Sequence, residues 1–131
     1  MKLAADANVL LSALIGGKAR LALGHPGIEA LTTLEEVQEY APQLARKRGL
    51  ALDTVLLTAA ALPVTTVPRQ VYLAAMATSR KRIGRRDPDD VELLALAIHF
   101  GIPVWSNDKD FEDGGVPCYS TASLLKLLES L

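Results

Sequence analysis

The chain has 131 residues, half of them hydrophobic and 22% charged, with a formal net charge of -1. That composition excludes a disordered chain and fits one domain over residues 1–131. The near-zero charge argues neither for nor against nucleic acid, because local patches decide that. A single cysteine, Cys118, excludes an internal disulfide, and with only His25 and His99 beside it no zinc-ligand spacing exists. Three apolar residues between Lys2 and Asp6 are too few for a signal peptide, and the apolar run at 55–62 is too short to span a bilayer. A cytosolic protein without a membrane segment is expected.

In chain order, short β-type runs alternate with helical patterns, which predicts a parallel α/β sheet. Strands are expected at 2–5, 28–31, 64–67, 103–106 and 116–119. Helices are expected at about 8–15, 34–48, 51–62, 69–82, 89–100 and 122–130. Thr33-Leu34-Glu35-Glu36 fits a capping box, Asp87-Pro88 a helix start, and Gly101 the residue after a helix end.

The acids are unevenly placed. Residues 85–115, "RRDPDDVELLALAIHFGIPVWSNDKDFEDGG", hold eight of the fifteen, in two clusters separated by an apolar run. Crowded carboxylates repel unless a cation neutralises them. Asp6 follows the first expected strand and Asp108 lies two residues past the fourth, so both belong at the carboxyl edge of the sheet, where α/β sites form. Carboxylate oxygens suit Mg²⁺ or Mn²⁺. Neither a Walker A sequence nor a G-x-G-x-x-G is present. Each acid also has a purely structural role open to it: Asp6 as a helix cap, Asp87, Asp89 and Asp90 as first-turn acids facing a macrodipole, Glu36 as the third helical residue of a capping box, and Asp108 and Asp110 as loop acids. On the 34–48 helix the stripe Val37, Tyr40, Ala41 and Leu44 leaves Glu36 roughly 100° from its centre and Glu35 and Glu39 nearer 160°. Glu36 is therefore the best placed of the three to face a buried cleft.

"LAADANVLLSALIGG" resembles the opening of PIN-domain nucleases, where an Asp ends the first strand. "DPDDVELLALAIHFGIPVWSNDKDF" resembles their C-terminal half, and "TTLEEVQEYAPQLA" their glutamate helix. The resemblance implies a three-layer α/β/α sandwich with a central parallel sheet of four to five strands, and Mg²⁺- or Mn²⁺-dependent cleavage of RNA. It implies metal-binding, catalytic acids at Asp6, Glu36, Asp90 and Asp108, with Asp87 a fifth candidate and Asp110 in an outer shell. Asn8 and Ser106 match supporting polar positions. Glu35 and Glu39 lie within a register error of Glu36 and stay open as the site glutamate. The resemblance also implies the toxin of a VapC-like toxin–antitoxin pair, hence an antitoxin partner, and a homodimer.

Two further readings stand beside this one: a degenerate PIN-like domain that binds RNA or protein without catalysis, and a phosphoryl-transfer receiver domain. The receiver would want paired acids at the first strand, where Asp6-Ala7-Asn8 offers one. "SRKRIGRR" at 79–86 contributes Arg80, Lys81, Arg82, Arg85 and Arg86 as candidate RNA contacts. A solvated helix end is the plainer account of that run. His99 is expected to pack, Trp105 to lie in the core or an interface, and Cys118 to be buried.

Overall fold

A computed structural model describes residues 1–108, 111 and 114–130. Five parallel strands form one sheet in the order β3-β2-β1-β4-β5: β1 (Lys2–Ala5), β2 (Glu29–Thr33), β3 (Val64–Val67), β4 (Val104–Trp105) and β5 (Cys118–Tyr119). Side chains alternate across a strand, and here the alternation builds two cores. Leu3, Ala5, Ala30 and Trp105 face one layer, formed by α1 (Ala7–Ile15), α2 (Gly17–Leu23), α3 (Leu34–Arg48), α4 (Leu52–Ala60) and α8 (Thr121–Glu129). Ala4, Leu31, Val67 and Val104 face the other, formed by α5 (Arg69–Tyr72), α6 (Met76–Ile83) and α7 (Val91–Phe100). This is the α/β/α sandwich, with both faces of a parallel sheet covered.

The apolar run between the acid clusters becomes α7, whose residues Leu93 to Ala97 are fully buried, and it ends at Gly101 in the left-handed conformation (φ 63°). Several expected bounds shift. The second strand starts and ends later than 28–31, because Lys2 pairs with Glu29 and Thr33 with Val67. The fourth shortens at both ends, to Val104–Trp105, and the fifth at its start, to Cys118–Tyr119. The 69–82 helix is interrupted by a 3-10 turn at Leu73–Ala75, although Tyr72, Ala75, Met76, Ser79 and Ile83 keep helical spacing on the buried side. Pro88–Asp90 is also a 3-10 turn, so α7 begins at Val91. Asp87 precedes that turn without capping it; its carboxylate lies 3.3 Å from Arg86 Nε.

α2 was not expected. It sits between Gly16-Gly17, both at positive φ, and Gly24. Its Arg20 donates to Ala13 O (2.8 Å) and Leu14 O (2.5 Å), satisfying carbonyls at the end of α1. Trp105 is core, with Nε1 donating to Thr121 Oγ1 at 3.0 Å. His99 is exposed rather than packed, and lies edge-on to Phe100; Cys118 is half-buried. Among the described residues no helix is long and apolar enough to cross a membrane.

Candidate functional site

The strand order reverses direction between β1 and β4, and at such a switch point the loops leaving the carboxyl ends separate to leave a crevice. Asp6 and Ser106 stand there, one residue beyond each strand, with the Asp6 N–H donating to Trp105 O at 3.2 Å. Asp6 caps α1: its Oδ1 accepts from Val9 N at 2.8 Å. Its Oδ2 accepts from Ser106 Oγ in a very short contact, and Ser106 Oγ in turn accepts from Asp108 N at 3.0 Å. Asp6, Ser106 and Asp108 are thereby tied together by one hydroxyl.

Glu36 enters from β2. Thr33 Oγ1 accepts from Glu36 N at 3.2 Å, which is half of the expected capping box. The other half is not made. Glu36 Oε2 instead accepts from Ala7 N at 2.6 Å, across the sheet edge and beside Asp6. Glu36 is 2% exposed and Asp6 5%, unusually low for carboxylates without a salt bridge among the described residues. Burial pushes Glu36 up to about 8; the Ala7 N–H pulls it back, while Asp6, Glu39 and Asp90 add repulsion. Asp6 is raised too, first by burial, with the Ser106 and Val9 bonds opposing and Asp108 adding to the rise. Glu39, exposed on α3, is raised by partial desolvation, then by Asp89 and Asp6.

Asp6, Glu36, Asp90 and Asp108 are thus electrostatically one cluster, with Glu39 and Asp89 at its margin. Asp90 is half-buried, Asp108 and Asn8 are exposed, and Asp87 points to Arg86. Glu35 faces elsewhere, into a cavity with Arg69, Arg80 and Arg85. Asp110 lies outside the described residues. Among the described residues no three His, Cys, Asp or Glu side chains are already arranged around a point that would hold a metal ion.

The PIN-domain family model matches residues 5–129. The chain belongs to the PIN-domain family. Among solved structures this PIN domain is similar to a toxin–antitoxin complex from Klebsiella pneumoniae, at 19% identity and a TM-score of 0.65, over 91% of this chain and 97% of that one. At that identity the likeness establishes the fold. Comparison with curated proteins gives no match.

This PIN domain also holds an ion pair between a buried acid and an exposed arginine that the sequence did not lead us to expect. Glu92, 5% exposed, accepts from Arg69 Nε (2.8 Å) and Nη2 (2.7 Å) and from the Tyr72 hydroxyl (2.8 Å). Its signal in the sequence is a lone acid inside "VELLALAI", which on a buried helix demands a partner. Arg69, on a separate helix, carries no such signal.

Proposed function

We propose that this PIN domain is a divalent-metal-dependent endoribonuclease, and that it is the toxin of a toxin–antitoxin pair. The observation that supports the first part is a pair of buried carboxylates, Asp6 and Glu36, beside the β1/β4 switch point, both held above the usual carboxylate range and repelled by Asp108 and Asp90 respectively. Acids serving only as caps stay ionised easily and gain from the helix dipole. Here Glu36 abandons its own cap and stands among like charges, an arrangement that a cation would stabilise.

The donors fit a hard ion: carboxylate oxygens, with no thiolate or imidazole in the cluster. Asp6, Glu36, Asp90 and Asp108 would hold it, with Asp87 a further candidate and Asp110 in an outer shell. The chemistry such an ion supplies when bound is Lewis acidity toward phosphate oxygens and acidification of water. The chain supplies orientation. The Ser106 hydroxyl fixes one oxygen of Asp6 and the backbone N–H of Asp108 together. The Ala7 N–H fixes one oxygen of Glu36. Asp6 is itself 5% exposed, which limits competing water around it. Such outer hydrogen bonds set ligand position and are worth roughly 10–100-fold in metal affinity or activity. Asn8, exposed at the start of α1, supports the rim.

The toxin assignment rests on the fold shared with a protein whose structure is that of a toxin–antitoxin complex. It carries with it an antitoxin partner, a cytosolic location and a homodimer. The nuclease reading is tested with purified protein and single-stranded RNA, in Mg²⁺ or Mn²⁺ and in chelator. Internal cleavage restored by either ion is expected. RNA left intact with both ions refutes the reading.

A further inference from the structure

We propose that a basic trough along the end of α6 binds the phosphodiester backbone of the RNA, with Arg69, Arg80 and Arg85 as its fixed points. The inference deepens the nuclease reading and rests on it for the identity of the ligand.

Two cavities form the trough. The first, about 440 Å³, is lined by Arg69, Arg80, Arg85, Glu35 and Glu92 among others, and its wall includes Pro88 and Val91 on either side of Asp90. The second, about 420 Å³, is lined by Arg80, Lys81, Arg82, Ile83, Arg85 and Arg86. Arg80 and Arg85 line both, so the two adjoin. Glu35, next in sequence to Glu36, lines the first, and Pro88 and Val91 bring it to the segment that carries Asp90; the second lies at the end of α6.

The cations are not equivalent. Arg69 is held by its bidentate bond to Glu92, which Tyr72 also holds, and those bonds use two of the five N–H donors of the guanidinium. Its side chain remains 62% exposed. This is a preorganised donor of the kind that recognises phosphate. Arg82 is occupied structurally, donating from Nη1 to Gly114 O at 2.7 Å, and Arg86 lies against Asp87. Arg80 and Arg85, exposed on the shared wall, are the cations placed to meet an incoming anion. Across the second cavity the lining carries no acid, and its one apolar residue, Ile83, is 2% exposed. A protein ligand would want an apolar anchor in that surface. A chain of phosphates needs only the charges.

The test is fluorescence anisotropy with a 5′-fluorescein single-stranded RNA oligonucleotide in chelator, where no metal-dependent cleavage intervenes. The Arg80→Ala/Arg85→Ala double variant is expected to bind at least tenfold more weakly than wild type. Its salt dependence should be shallower by roughly 1.4 in log–log slope, about 0.7 for each phosphate no longer neutralised. Arg46→Ala/Arg48→Ala removes equal charge at the far end of α3 and is expected to bind as wild type. Unchanged affinity in the first double variant overturns the proposal, as does equal loss in both. Displacement of the RNA by polyglutamate as readily as by unlabelled RNA of equal charge assigns the trough to an acidic protein and also overturns it. Wild type that binds RNA through these arginines but does not cleave it when Mn²⁺ is restored refutes the nuclease reading alone. Cleavage with unchanged KM in the Arg80→Ala/Arg85→Ala variant refutes the trough alone.

Discussion

Glu36→Gln measured against wild type in chelator isolates the electrostatic cost of the site. Glu36 is almost fully buried and its carboxyl is raised from 4.5 to about 8, so the folded protein binds this proton more tightly than the unfolded chain does. An acid raised in the folded state adds stability below its unfolded value, and that stability is lost as pH climbs from about 4.5 to about 8. At about 1.4 kcal/mol per pH unit the full window amounts to roughly 5 kcal/mol. Coupling to Asp6, Glu39 and Asp90 spreads the titration over several groups, so about 2–3 kcal/mol between pH 5 and pH 8 is the expected share of Glu36. Gln keeps a carbonyl oxygen for the Ala7 N–H but cannot ionise. Urea unfolding at several pH values, in chelator, should show wild-type stability falling across that window and the Glu36→Gln variant falling by about 2–3 kcal/mol less. Parallel curves for the two proteins would refute the account of Glu36 as a buried, repelled carboxyl.

Ser106→Ala removes the hydroxyl shared by Asp6 and Asp108; the Mn²⁺ concentration for half-maximal cleavage should rise about 10–100-fold while the fold survives, and an unchanged metal requirement would deny Ser106 that role. Gly114→Ala would place a Cβ 2.8 Å from Leu94 Cδ1, and Leu94 is fully buried, so its side chain must shift within the core and a loss of about 1–3 kcal/mol is expected by chemical denaturation. Light scattering at micromolar concentration should give a dimer mass, because α4 buries only Val55 while Leu52, Leu56 and Leu57 stay exposed. A monomer would remove self-association.

The sequence was most informative where local signals and the fold agree. Alternation and helix periodicity placed β1, β3 and α3 at the bounds observed, and the position of Asp6 and Asp108 after strands put both at one sheet edge. Glycine-bracketed α2 had too few turns to show a period, and the break at Leu73–Ala75 is invisible because the buried residues around it keep helical spacing. Glu36 shows the limit differently. The local rule for a threonine and a glutamate three apart returns the glutamate to its own helix start. The competing partner, Ala7 N–H, is 29 residues away in sequence and is brought near only by the parallel pairing of β1 with β2. The Arg69–Glu92 pair and the adjoining basic cavities likewise depend on how α5, α6 and α7 pack.

The central claim is that Asp6, Glu36, Asp90 and Asp108 act as ligands to a catalytic ion. Its most direct test is the single-turnover rate of RNA cleavage in Mn²⁺ for Asp6→Asn, Glu36→Gln, Asp90→Asn and Asp108→Asn, each shown to be folded, beside Asp53→Asn as control. Asn and Gln serve as helix caps about as well as the acids they replace. Capping roles alone would therefore leave all five rates near wild type, and that result would contradict the account. The account predicts losses of at least a hundredfold in the four site variants, with Asp53→Asn, in the exposed first turn of α4, cleaving as wild type does.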